Sequence, residues 1–242
     1  MHRCTPSEPA APQILVTQDL FAYYQPSGLV VDAATNLVTG WRNEVDGRVL
    51  AGGGSYTPSN ADFNHQPTVA LQRGVSAYFD GLVVPGSPGL SITLVSKVAA
   101  NAADDFWWNL NTTNGLLDLW RPGAVSIAFN TLAGSHYGHY FGSGQLEPLL
   151  VITAIYPHGN IRGGGQLYVN GVHAPLADVG NSMLDERPAS GTFFLGAGPQ
   201  GTAYASNYSF QGDIAACAIH RRVLTPAEAI GQSNYFFHRF HS

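Results

Sequence analysis

Two aromatic-rich stretches hold the side chains best suited to chemistry. In "GSHYGHYFGSG" (134–144), His136 and His139 stand three apart, with Tyr137 and Tyr140 beside them. Two histidines without a neighbouring acid lack the converging ligands of a zinc site, and residues three apart on a strand take opposite faces. The stretch does suit a sugar: a tyrosine ring stacks on a pyranose while an imidazole hydrogen-bonds to its hydroxyls. The competing reading is a long hairpin tip whose aromatics pack on their own sheet or on a neighbouring chain. The second stretch, "NAADDFWWNLN" (101–111), joins Asp104 and Asp105 to Trp107 and Trp108. Adjacent tryptophans on a strand face opposite ways, which predicts one in the core and the other outward or under a loop, open to a ligand. Asp104 and Asp105 offer the hard oxygens that calcium takes, and Asp80 and Asn111 would join if the fold brought them close. A plain strand connection accounts for the paired aspartates as well. Calcium is the one cofactor this pattern suggests.

Other chemistries lack their residues. Glucan hydrolysis needs two carboxylates projecting from one strand at short separation. The glutamates Glu8, Glu44, Glu147, Glu186 and Glu228 are scattered, and "EVDGRV" (44–49) has Val49 where a second acid would be needed. No serine sits in a Gly-x-Ser-x-Gly elbow, and "GAGPQG" (196–201) opens no helix that would cradle a phosphate. The cysteines, Cys4 and Cys217, are distant in sequence; Cys217 lies in an apolar strand and reads as a small core hydrophobe, so both thiols are expected to stay free. The sequence predicts a protein that is not an enzyme.

Charged residues are 11% of the 242-residue chain, Lys97 is the single lysine, and the net charge is −5. An average soluble protein carries about 25% charged residues. No basic stripe is present for nucleic acid, no polybasic patch for an anionic lipid surface, and no apolar run of about 18 residues for membrane insertion. Gly (28) and Pro (15) are spread along the chain, as expected for many short strands joined by tight turns.

The elements that must position the candidate residues follow from these turns. After a Pro-rich arm (1–13), strand-like pieces are expected at 14–24, on either side of "DAATN" (32–36), at 68–84 as a hairpin, and at 90–100. Others are expected at 106–111, 124–132, 146–156, 165–176 and 191–198, while 47–67 reads as a connection with one short strand. Asn170-Gly171 is a strong hairpin turn. Thr225-Pro226-Ala227-Glu228 is a capping box that starts a helix, with Ile230 and Phe237 expected on its buried face. In "FQGDIAACAIHRR" (210–222), Ile214 has one strand parity while Cys217 and Ile219 have the other, which predicts a β-bulge near Ala215-Ala216. About twelve strands and one helix make an all-β, two-sheet antiparallel β-sandwich, or jelly roll, with a short C-terminal helix. One domain is expected, spanning 14–242.

Four pieces, in order, resemble the concanavalin A-like lectin/glucanase superfamily in its laminin G-like branch. They are "LFAYYQPSGLV" with "VTGWRNEVDG", "HQPTVALQRGVSAYFDG", "GQLYVNGV" and "FQGDIAACAIHRRVLTPAE", covering roughly 20–238. The resemblance implies two curved antiparallel sheets used mainly to bind glycans or proteins. Asn43 replaces the usual Asp of the Trp turn, Ala216 the usual Glu of the closing strand, and His220 a Tyr, so calcium and ligand contacts do not carry over at those positions.

The expectation is a non-enzymatic, lectin-like binding or structural module. Sparse charge fits a chain packed among neighbours, and a family that acts outside the cell fits poorly with an N-terminus lacking an apolar signal core. A phage virion reconciles these, its proteins being made in the host cytoplasm and released by lysis. A decoration, spike or fibre-associated component, in contact with neighbouring chains and host glycan, is therefore expected. The alternatives are a free secreted carbohydrate-binding protein and a purely architectural capsid or tail subunit.

Overall fold

A computed structural model describes residues 15–72, 78–99, 105–112, 115–121, 127–132, 136–141, 149–157, 164–174, 177–179, 190–196 and 210–241. The Pro-rich arm and Cys4 lie outside them. Strands β1 (Leu20–Tyr24), β2 (Leu29–Asp32), β3 (Leu37–Arg42), β4 (Val49–Gly52), β5 (Ser55–Asn60) and β6 (Gln66–Leu71) come first. Next are β7 (Phe79–Val84), β8 (Gly89–Val98), β9 (Asp105–Thr112), β10 (Gly115–Arg121), β11 (Ile127–Leu132) and β12 (His136–Phe141). The chain continues through β13 (Leu150–Pro157), β14 (Gln166–Val169), β15 (Val172–Ala174), β16 (Ala177–Val179), β17 (Gly191–Leu195) and β18 (Gly212–His220) to helix α1 (Pro226–Phe240).

All pairings are antiparallel and form two layers. The first runs β15–β14–β13–β8–β18–β1, with β6 and then β5 beside the start of β18. The second runs β2–β3–β4–β7–β17–β9–β10–β11–β12–β16. They join where Leu37 of β3 meets Ser55 of β5. Between them lies an apolar core that includes Tyr24, Trp41, Phe79, Ile92, Ile152 and Cys217. Burial pushes the Cys217 thiol up, which keeps it protonated and inert.

Local signals place the turns as read. Asn36 has φ 56° at the "DAATN" turn, and Asn170 and Gly171 have φ 50° and 78° between β14 and β15, the geometry a two-residue hairpin demands. The closing-strand bulge is present: Ile214 pairs with Ser96 and Ala216 with Val95, leaving Ala215 extra. Ile214, Cys217 and Ile219 thus all reach the inter-sheet core, while Ala215 and Ala218 lie under α1. Ile92 and Leu94 of β8 point into the core, whereas Val95 lies under the helix. Thr225 Oγ1 accepts the Glu228 amide, and Glu228 Oε2 accepts the Thr225 amide at 2.8 Å, which completes the capping box. Arg222 closes this helix start from outside with a bidentate pair to Glu228 at 2.6 and 2.8 Å.

Long-range pairing corrects other expectations. Residues 68–84 do not form a hairpin: β6 pairs with β5 and β18 in the first layer, and β7 with β4 and β17 in the second. The 47–67 connection holds two strands, β4 and β5. Residues 136–141 are a strand between β11 and β16 rather than a hairpin tip. β10 and the strands around it raise the count to eighteen among the described residues. On α1 the fully buried face is Ala229, Gln232, Ser233, Phe236 and Phe240; Ile230 and Phe237 flank it, half-buried.

Where the resemblance departs, the structure shows why. Asn43 is buried and its Oδ1 accepts the Tyr23 amide at 2.8 Å and the Val45 amide at 3.1 Å. Its Nδ2 donates to Asp46 Oδ1 at 2.8 Å, a bond an ionised Asp cannot make. With Glu44 N donating to Tyr23 O, this turn also caps the free edge of β1. Buried His220 donates from Nε2 to Val16 O at 2.9 Å, and burial lowers its pKa.

Candidate functional site

Helix α1 covers the outer face of the first sheet. Buried between them, Gln232 Nε2 donates to Thr93 Oγ1 at 2.7 Å, Thr93 and Thr153 hydroxyls meet at 2.9 Å, and Thr153 meets Ser233 at 3.1 Å. The outer face of the second sheet has no helix over it among the described residues. There Val49 and Val83 are 47% and 53% exposed, Asp80 and Thr192 are half-buried, and Phe194 and Asn109 are buried near the middle.

Strand register extends this face. Trp108, Leu110, Phe193 and Leu195 fill the core, so the alternating positions Asn109 and Phe194, paired directly, face outward. Asn109 is opposite Asp118, Asp118 opposite Asn130, and Asn130 opposite Gly138. A polar row, Asn109–Asp118–Asn130, thus crosses β9, β10 and β11. Two residues along, Trp120, Ala128, Tyr140 and Ala177 form a second row. On the other side, Thr192, Asn111, Leu116, Leu132 and His136 form a third. Strands lie about 4.8 Å apart and alternate residues about 6.7 Å apart, so the polar row is flanked closely by the aromatic positions.

Of the residues singled out in the sequence, His136 and Tyr140 hold outer-face register positions, while Tyr137 and His139 hold the alternate ones, opposite Thr131 and Phe129. The side chains of these four lie outside the described ones. Trp107 and Trp108 are corrected: neither stands outward, and both are fully buried in the core. Trp108 pairs with Leu119 and Phe106 with Trp120, which makes Trp107 the extra residue of a β-bulge. The bulge breaks the alternation that predicted opposite faces. Trp108 stacks on Phe193 at 6.0 Å and meets Tyr156 edge-on at 5.3 Å; Trp107 donates to Ser96 Oγ at 3.0 Å.

Of the oxygen donors suggested for calcium, Asp105, Asn111 and Asp80 stand at separate backbone positions. Asp104 lies outside the described residues. Asp105 opens β9 opposite Arg121, and Asn111 is six residues further along the same strand, about 20 Å at the rise of a β-strand. Asp80 is on β7, two strands away from β9. No three His, Cys, Asp or Glu side chains gather among the described residues.

Carboxylates elsewhere are engaged in the fold. Glu44 accepts from Ser27 at 2.9 Å and Asp46 from Arg48 at 2.5 Å. Half-buried Asp213 accepts from Thr68 at 3.1 Å, and burial raises its pKa; nearby, Lys97 pairs with Asp62. The Arg222 pair holds Glu228 at about 2. Sequence reasoning missed β10 and the polar row. The signal was present as period-two spacing, Asn109/Asn111 and Asp118/Trp120, but only pairing shows that these positions share one face.

No protein-family model matches the chain, and no curated sequence is similar to it. Solved structures do share its fold. Trypanosoma rangeli sialidase in complex with the inhibitor DANA superposes with a TM-score of 0.61 at 14% identity, over 95% of this chain and 35% of that one. Domain 4 of an extracellular GH43 arabinanase from Geobacillus stearothermophilus, in complex with arabinotriose, superposes at 0.54 and 17% identity over 89% and 98%. A heptameric SAP-like pentraxin from Limulus polyphemus superposes at 0.50 and 13% identity over 63% and 73%. The chain spans about a third of the sialidase's length. Together they show that the chain shares an all-β sandwich fold with these proteins.

Proposed function

We propose that this chain is a lectin-like module that binds a glycan across the outer face of its second sheet. The observation that carries the reading is the strand register that sets the Asp118 and Asn130 positions beside the Trp120 and Tyr140 positions. An amide and a carboxylate are residue types that exchange hydrogen bonds with sugar hydroxyls, and an aromatic ring is the apolar platform a pyranose face takes. The shared fold of the arabinotriose-bound arabinanase domain supports it. Binding proceeds without catalysis. Among the described residues, Asp80 and Asp118, the carboxylate positions near the middle of this face, stand on strands three places apart. That is about 14 Å at β-sheet spacing, beyond the reach of a glycosidase acid pair.

The order of the turn motifs supports a place in the laminin G-like branch. Sparse charge supports a setting among neighbouring chains, such as a phage particle. Co-purification of other chains tests that setting, and a lone monomer on gel filtration argues against it.

A glycan array followed by calorimetry tests the binding. Asp118→Ala and Tyr140→Ala are each expected to weaken the best ligand by roughly tenfold to a hundredfold, as loss of a hydrogen bond or stacking partner does. Thermal unfolding should barely change. A wild-type chain that retains no glycan overturns the reading.

A further inference from the structure

Three successive residues at the end of β18 hold the segment 15–19 that leads into β1. His220 Nε2 donates to Val16 O at 2.9 Å, the Arg221 amide to Asp19 O at 3.1 Å, and Arg222 Nε to Gln18 O at 3.3 Å. The turn into β1 is closed by the Leu20 amide, which donates to Thr17 O at 3.2 Å. Apolar anchorage is slight. Leu15 and Val16 are half-buried, Leu15 against the Phe236 cluster and Val16 against the Leu224 cluster, while Thr17, Gln18 and Asp19 are exposed. A segment with so little buried apolar surface opens more readily than the sheet it lies on. We infer that His220 is an acid-sensitive clasp, whose protonation frees the 15–19 strap while α1 and the sandwich stay folded. The clasp sits on the first sheet, apart from the glycan face proposed on the second.

The two ring nitrogens make the device. A carbonyl can only accept, so Nε2 carries the proton given to Val16 O, and the neutral imidazole keeps a bare Nδ1. That Nδ1 is buried and has no partner among the described residues. Ser91, opposite His220 on β8, spends its hydroxyl on Arg222 O and the Leu224 amide. Acid therefore creates a buried N–H without an acceptor, on a ring that has also gained charge. Burial acts most strongly on this ring and disfavours the cation. Arg222 also opposes it, whereas the Val16 carbonyl, Glu228 of α1 and Asp19 of the strap favour it. Both carboxylates already face Arg222, Glu228 at 2.6 Å and Asp19 at 3.8 Å. Arg222 holds the Glu228 pKa at about 2, so the helix start keeps its ion pair where His220 titrates. Lifting the strap gives the ring to water, where it takes up the proton with its ordinary pKa of about 6.5.

Hydrogen exchange of the full chain, corrected for the intrinsic rate at each pH, reads strap opening at the Leu20 and Arg221 amides, whose acceptors are strap carbonyls. Between pH 7.5 and 5.0 their opening constant should rise at least about threefold. The ceiling is roughly thirtyfold, set by an ordinary imidazole that is protonated only in the open state. The α1 amides should not follow. His220→Gln keeps an N–H for Val16 O and cannot titrate, so its strap should open to the same extent at both pH values. If that variant does not fold, the wild type still decides: below pH 6.5 the opening constant should follow the uptake of a single proton. A smaller rise, a strap that exchanges only together with α1, or a pH dependence that survives His220→Gln overturns the inference.

Discussion

Beneath α1, on the outer face of the first sheet, Thr93, Thr153, Gln232 and Ser233 are buried and hydrogen-bonded in one chain. On the outer face of the second sheet, Asp80 and Thr192 stay half-exposed around Asn109, and the register adds Asp118 and Asn130 to the row. Both faces set polar residues on strands that bury apolar ones beneath. The first spends its polar groups on the helix, where they hold α1 in one register. The second has no helix over it among the described residues. What separates structure from function here is the partner across the face, not the residue type.

Substitutions can break or sharpen this contrast. The largest effect is expected in the shared core: Trp108→Ala should lower unfolding free energy by about 3–5 kcal/mol, as loss of a buried aromatic does, visible as a drop in denaturant midpoint. A ligand-facing tryptophan would show almost none of this. Phe236→Ala should fall in the same range, because its ring is buried between α1 and the first sheet beside Phe240.

Next in size is Thr93→Val. It keeps the shape but removes the acceptor of the Gln232 amide, at about 1–3 kcal/mol for a buried group left unpaired. Glycan binding should be unchanged, which would show that the two faces act independently. Thr225→Ala should cost about 1 kcal/mol through loss of the helix cap.

Acid should loosen the α1 side in two steps. His220 is held neutral by burial, so its stabilisation is complete above its ordinary 6.5 and declines as the pH falls below it. Glu228 is depressed to about 2 by Arg222, so its share is present above its ordinary 4.5 and is lost as the pH falls from there towards 2. Denaturant midpoints across pH 2–7 should show that Glu228→Gln flattens only the lower step. The smallest stability change is expected at half-buried Asp80 on the second sheet's outer face: Asp80→Ala should stay within about 0.5 kcal/mol, and an unfolding midpoint well outside that range would mean Asp80 is structural.

Much of the frame was legible because its causes are local. Asn170-Gly171 needs only its own backbone to make a hairpin, and Thr225 with Glu228 closes its cap within one helical turn. The parity conflict between Ile214 and Cys217 exposed a bulge because both had to reach the same core. By contrast, Trp107 and Trp108 were placed on opposite faces because the bulge beside them is defined by Trp120 on another strand. Asn111 was to join Asp105 around an ion only if the fold brought the two close, and one strand holds them six residues apart. The 68–84 segment reads as a hairpin in isolation, although its halves belong to different sheets.

The sequence by itself determined the class of fold, the turns, the capped helix and the closing bulge, since each depends on residues within a few positions of one another. Only the tertiary structure decided which layer each strand joins, which tryptophans are core, and that Asn109, Asp118 and Asn130 line up. Those outcomes depend on register between strands distant in the chain. A shift of one residue in that register would turn every side chain to the other face.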